Sequence, residues 1–382
     1  MRANTSSSII YFLYFAAIAA VIPFLALYYR SMGLSGSQVG LLLGISPLLT
    51  LFASPFWTGL ADARQRHRVV LTITLVAAVA IMSMVPAITN FGLLLVAIIL
   101  FSFFSAPIMS LVDSATLSSL GNQREMYGRI RLWGTIGWGL SAAMLGMIFQ
   151  RYGLRWMFWS YAIFMALILI PNTRVKYPSV ASETPFWSGV RSLLVNRRWV
   201  LFLVMIFVAA IGMAAHTNYM SILMDEIGGS KTLIGIAFMI STVFELPVMF
   251  FSYILLRKLN TKGVLILAIV ITGLRCVLYA FARSPWVVMA IQGLHGFTFP
   301  ALWIAAATYA SENAPEGLSA TAQGLLGSVL LGFGASTGGL LGGVLLERLG
   351  VQGMFGAIGA LVFIGLIGIL TIERLVEIRP AT

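Results

Sequence analysis

Apolar runs of about twenty residues recur along the chain, separated by short polar stretches. A spanning helix needs roughly 20 apolar residues. Twelve such runs can be marked, at 9–30, 38–61, 69–89, 91–118, 128–149, 154–171, 199–223, 231–256, 263–282, 286–310, 319–345 and 351–371. They predict an all-α membrane protein with twelve transmembrane helices. The longest polar stretch, 172–198, follows the sixth run and contains Pro178, Pro185, Arg174, Lys176, Arg191, Arg197 and Arg198. The pattern therefore predicts a six-helix bundle over 1–171, a central loop over 172–198, and a second six-helix bundle over 199–382 that ends in a short tail. In each half the second run leads into a basic loop, 61–68 and 257–262, so the halves read as pseudo-repeats in hydropathy. Paired six-helix halves are an architecture of membrane carriers.

Composition removes the alternatives. Of 382 residues, 59% are apolar and only 9% charged, with a mean hydropathy of +0.96. A soluble domain carries about 25% charged residues, so this chain cannot cover itself with a polar surface. The net charge of +12 sits in short segments between apolar runs, which points to a bilayer and away from nucleic acid. A single cysteine, Cys276, leaves no disulfide framework and no CxxC metal site. The first run is long enough to span and has no evident cleavage site, so it is expected to be a retained helix. With the N-terminus inside, inner segments collect 17 Lys and Arg and outer segments 6. That asymmetry predicts a multi-pass protein of the inner (plasma) membrane with both termini cytoplasmic.

Ionisable groups inside spanning helices are costly, about 2.5–3.5 kcal/mol each at the centre, and mark function by default. Asp113 lies in the fourth run, Arg129 and Arg131 open the fifth, His216 and Asn218 lie in the seventh, Glu245 in the eighth, Arg275 in the ninth and His295 in the tenth. Two readings stay open for each. Asp113 and Arg131 are either a register-setting ion pair or part of a substrate or proton site. Glu245 either bonds to backbone loosened by Pro247 or carries a proton, exchanging partners between Arg275 and His295. Trp138 lies seven residues past Arg131, two turns on along one helical face. An aromatic face beside charged groups suits a ring-bearing solute. Tyr14, Tyr219, Gln292 and Trp303 are weaker candidates for the pocket lining.

Gly334, Gly338 and Gly342 recur every four residues, as small-residue faces do where helices pack closely. Such faces serve either static packing or the rocking of one bundle against another. There is no GxxxxGK[ST] loop, no HExxH and no nucleophile elbow, so neither an enzyme nor a nucleotide-driven pump is expected. The energy source is then an ion gradient or the solute's own gradient, without cofactor or metal.

Two motifs carry a family resemblance. Thr58-Gly59-Leu60-Ala61-Asp62-Ala63-Arg64-Gln65-Arg66-His67-Arg68 is similar to the G-x-L-A-D-R-x-G-R-R loop of the major facilitator superfamily, with Thr58 in place of the leading glycine. Tyr127-Gly128-Arg129-Ile130-Arg131-Leu132-Trp133-Gly134-Thr135-Ile136-Gly137-Trp138 resembles the fifth-helix signature of the branch holding lactose permease, phenylpropionate permease-like proteins and nucleoside–proton symporters. The resemblance implies a cytoplasmic gate at Asp62, Arg64 and Arg68. It implies substrate binding by Asp113, Arg131 and Trp138 and proton coupling by Glu245, Arg275 and His295; Asn218 joins the substrate-binding candidates from its place in the seventh run alone. The chain departs from the permease pattern where an acid follows the tenth-helix histidine by three residues, because Thr298 stands there. Gln292 stands in place of a basic residue and His216 near an acidic one.

The combined expectation is a proton-coupled importer of a small ring-bearing polar solute (sugar, nucleoside or aromatic acid) working by alternating access as a monomer. The rival is a proton-driven drug or metabolite exporter on the same fold.

Overall fold

The computed structural model describes residues 2–120, 126–173, 175, 193–315 and 318–378. Most of the expected central loop 172–198 lies outside the described residues, as does Arg124. We number the α-helices α1 Arg2–Ser31, α2 Gly36–Arg64, α3 His67–Met84, α4 Phe91–Ser105, α5 Ile108–Leu120, α6 Tyr127–Tyr152, α7 Trp156–Asn172, α8 Arg197–Glu226, α9 Lys231–Phe250, α10 Ser252–Phe281, α11 Pro285–Ile291, α12 Phe299–Asn313, α13 Ser319–Gly327 and α14 Ala335–Ile378.

Among the described residues, ten segments are long and apolar enough to cross a membrane, and the 17-residue α7 is a shorter apolar helix. The last of the ten, Thr321–Leu375, turns at Gly350 (φ 70°, ψ 174°), which divides it into two rods. Twelve apolar rods result. Local chemistry sets their ends. Asn90, Asn196 and Ser284 accept from the first backbone N–H groups of α4, α8 and α11, which would otherwise lack partners. Pro107 separates α4 from α5 within one span, because proline cannot donate to the helical ladder. Asn260 adopts φ 53° and ψ 173°, non-helical values that break α10.

Large apolar side chains face outward, among them Phe52 at 69% and Ile364 at 70% exposure. A surface of this kind is stable in hydrocarbon and not in water. The protein is therefore a multi-pass membrane protein.

Contacts divide the chain into two compact units. Unit 1 holds Met1–Leu34, Ile45–Ser182 and Gly228–Met239, and unit 2 holds Ser35–Gly44, Glu183–Ile227 and Ile240–Thr382. The helices α2 and α9 thus each contribute one end to either unit. In unit 1, α1 packs on α6 and α7 through the fully buried Ala16, Ala17, Ala19 and Ala20, with Phe24 edge-on to Phe149 at 5.0 Å. In unit 2, α8 packs on α10 and α14 around Tyr219, Tyr279 and Phe355. The start of α2 lies backbone-close to α14. A Cβ on Gly40 would stand 2.8 Å from Gly343 Cα, and Glu347 Oε2 accepts from the Ser37 backbone N–H at 2.7 Å.

Candidate functional site

Among the described residues, two clusters of charged side chains stand inside the spans, one in each unit. The first is built on α1, α5 and α6. Asp113 follows the Pro107 break on α5, and its Oδ1 accepts from three donors: the hydroxyl of Tyr11, the hydroxyl of Tyr127 at 2.8 Å and Nη1 of Arg131 at 3.4 Å. Tyr127 stands four residues before Arg131 on the same face of α6, and Arg131 Nη1 also donates to its hydroxyl at 3.1 Å. The carboxylate is compensated by one cation and two phenols. The Arg131 side chain remains 46% exposed, and its other guanidinium donors take no partner among the described residues. The cluster therefore presents unused donors beside a fixed acid, an arrangement that can bind a hydroxyl or carboxylate. Trp138 lies two turns along α6, partly exposed, with the ring of Phe238 edge-on to it at 6.2 Å and 72°.

The second cluster surrounds Arg275 on α10, which is 2% exposed. Its Nη1 donates to Thr298 Oγ1 at 2.9 Å and to His295 Nδ1 at 3.2 Å. Its Nη2 donates to Gln292 Oε1 at 2.9 Å and to Tyr279 OH at 3.1 Å. All four acceptors are neutral, and Nε has no hydrogen-bond partner. Arginine only donates. His295 Nδ1 is therefore the acceptor, and the ring proton sits on Nε2. That nitrogen faces Glu245 Oε2 at 3.8 Å. The chain Arg275, His295, Glu245 thus links a buried cation to one carboxylate through a neutral ring. Backbone geometry makes this possible. Between α11 and α12 the span tightens into a 3₁₀ segment, Gln292–Phe297, and this places Gln292, His295 and Thr298 around one guanidinium.

The structure brings together Asp113 with Arg131, and Glu245 with His295 and Arg275. It does not bring Asn218 into either cluster: that side chain is half-buried, with no hydrogen bond to them. His216 is packed in the core of unit 2, its Nε2 3.2 Å from Cys276 Sγ and its ring against Tyr279 and Phe355. At the end of α2, Asp62 pairs with His67 Nε2 at 2.6 Å, joining the end of α2 to the first residue of α3. Arg68 donates to the Val175 carbonyl at 2.9 Å, and Arg64 is exposed.

Sequence reasoning did not single out Tyr11, Tyr279 or Phe238, and it quoted His67 and Tyr127 within motifs without giving either a role. For Tyr127 a signal existed, its i, i+4 spacing to Arg131. Tyr279 stands likewise four residues after Arg275. For Tyr11 and Phe238 there was none, since each is one aromatic among many until a neighbouring helix is placed beside it.

Twelve apolar rods with a charge cluster inside each unit, among the described residues, are the architecture of a membrane transporter. Residues 5–370 match the MFS_1 like family, and the chain belongs to it. Among its relatives, the maltose permease of Geobacillus stearothermophilus is 29% identical over 97% of this chain and 95% of its own length. A probable 3-phenylpropionic acid transporter of Escherichia coli is 24% identical over 78% and 80%. The multidrug resistance protein MdtG of Citrobacter koseri is 27% identical over 79% and 78%. The crystal structure of the nucleoside transporter NupG shares the fold, with a TM-score of 0.87 over 98% of this chain and 100% of that one at 16% identity.

Proposed function

We propose that this chain is a proton-coupled importer of the inner membrane, with both termini cytoplasmic, that takes up a small ring-bearing polar solute. Asp113 and Arg131 hold the solute's polar groups and Trp138 takes its ring. Glu245 carries the proton, in contact with His295 and Arg275.

One observation carries this reading: the buried Arg275 has only neutral acceptors, and Glu245 is its counter-charge across His295. An uncompensated buried ion costs several kcal/mol. Protonating Glu245 therefore leaves Arg275 unbalanced, and the protein must move to a state that solvates or re-pairs it. A proton whose binding forces a change of state is what coupled transport requires.

Solute class draws support from an aromatic face beside unused guanidinium donors. Relatives named for maltose and 3-phenylpropionic acid, and a fold neighbour named for nucleosides, are consistent with it. A second reading, export of lipophilic compounds, is favoured by the similarity to a multidrug resistance protein.

A thermal-shift screen on purified protein separates the two, because a ligand that binds the folded state raises the melting temperature by mass action. Probes are maltose, uridine, 3-phenylpropionate and ethidium. A shift with one of the first three that is lost in Trp138→Ala supports the importer. A shift with ethidium alone contradicts it and makes both clusters structural.

A further inference from the structure

Within unit 1, α6 and the first half of α9 meet along a regular seam. Gln150 Oε1 accepts from the Lys231 backbone N–H at 2.9 Å. One turn back, a Cβ on Gly146 would stand 2.7 Å from the Lys231 carbonyl oxygen, and a Cβ on Gly235 would overlap the carbonyl of Ala142. The seam ends at Trp138, against which Phe238 sets its ring edge-on. The α6 positions 138, 142, 146 and 150 recur every four residues and so form one face. Backbones this close resist sliding unless the seam itself repacks.

Glu245 lies seven residues past Phe238, two turns or about 10 Å along the same helix. It belongs to the part of α9 that is counted in unit 2. One helix therefore bears a ring against Trp138 at one position and a carboxylate facing His295 at another. The 3.8 Å separation of Glu245 Oε2 and His295 Nε2 is just beyond hydrogen-bond range. A shift of α9 by about 1 Å makes or breaks that bond.

We infer that Phe238 is a positioning residue that couples a ring held against Trp138 to the proton on Glu245; this rests on the function proposed above. A solute ring on the indole face fixes the indole plane. The edge-on contact passes that orientation to Phe238, and α9 carries it to Glu245. Drawn toward His295 Nε2–H, the carboxylate stays ionised and balances Arg275. Drawn away, it takes a proton from water.

Linkage is reciprocal, so protonating Glu245 must also alter the surroundings of Trp138, and the test needs no ligand. The Trp138 emission, taken as the difference between the parent protein and Trp138→Phe in detergent, is followed from about pH 5 to about pH 9. Among the described residues, the titratable and charged groups facing Glu245 are His295 and, behind it, Arg275 with Tyr279, His216 and Cys276. Asp113, Arg131, Tyr127 and Tyr11 lie on the Trp138 side, and a Glu245→Gln control removes them as the origin of the signal.

The expected result is a pH-dependent emission change in the parent, lost in Glu245→Gln, lost in Phe238→Ala and restored in Phe238→Tyr. Phe238→Leu keeps bulk without the aromatic edge and is read where the alanine variant does not fold. A Glu245-dependent titration that persists unchanged in Phe238→Ala or Phe238→Leu overturns the inference, as does its absence from the parent. Failure of the proposed function is read separately, as uphill accumulation that survives Glu245→Gln.

Discussion

Arg275 sets the energetics of unit 2 at the scale of single residues. Removing its charge alone leaves Glu245 without a distant counter-ion and His295 Nδ1, Thr298 Oγ1 and Gln292 Oε1 without the Arg275 donors, while Tyr279 OH still accepts from Gln292 Nε2. Breaking a buried ionic arrangement from one side costs about 3–5 kcal/mol. We expect Arg275→Gln to lower the melting temperature by several degrees, and Arg275→Gln/Glu245→Gln to recover part of that loss. Thermal unfolding of both variants in detergent, read as a double-mutant cycle, checks this. Additive losses would show that Glu245 and Arg275 do not compensate each other. Thr298 offers a second handle, because its hydroxyl already accepts from Arg275 Nη1 at 2.9 Å. Thr298→Asp puts a carboxylate within the same reach. It is expected to offset the destabilisation of Glu245→Gln, measured by the same unfolding midpoint.

Elements differ in how much of them the chain's pattern discloses. Span positions followed from apolar runs, since a bilayer admits little else. The break at Asn260 falls in the polar stretch Leu259–Lys262, and the kink at Gly350 in the glycine-bearing stretch between the last two runs. The 3₁₀ segment Gln292–Phe297 was not anticipated, because its apolar run is unbroken. Its glycines and Pro300 weaken α-helix without stating which side chains will converge. An ion pair of Asp113 and Arg131 was one of two readings the intramembrane charges offered, and the family motif added their spacing; the residues stand on different helices, so periodicity alone could not place them together. The α6–α9 seam was not legible at all, because it depends on which glycine faces which carbonyl. That seam makes a prediction. A Cβ on Gly235 overlaps the Ala142 carbonyl, whereas a Cβ on Gly368 meets nothing within 4 Å. Gly235→Ala is expected to lower the unfolding midpoint. Gly368→Ala should be neutral or raise it slightly, since Ala exceeds Gly by about 0.5–1 kcal/mol within a helix. Equal midpoints for the two variants would refute a tight seam.

At the scale of the whole molecule, lipid-facing apolar surface and the few internal charges answer to one constraint. Hydrocarbon tolerates Phe52 and Ile364 at its boundary and tolerates Arg275 only when it is enclosed by acceptors. Orientation belongs to this scale too. An excess of Lys and Arg in alternate loops, 17 against 6, predicts that a fluorescent protein fused after Thr382 lights up in the cytoplasm. An alkaline phosphatase fused at the same place should stay inactive, and an active one would invert the topology.

The central claim is that Glu245 carries the coupled proton. It is tested by comparing uphill accumulation with exchange in proteoliposomes, for the parent and Glu245→Gln, using whichever of maltose, uridine or 3-phenylpropionate binds. The account predicts that a pH gradient drives accumulation in the parent but not in the variant, while equilibrium exchange of labelled solute stays measurable in both. Undiminished uphill accumulation by Glu245→Gln would remove Glu245 from the mechanism and leave the Arg275 cluster a structural feature of unit 2.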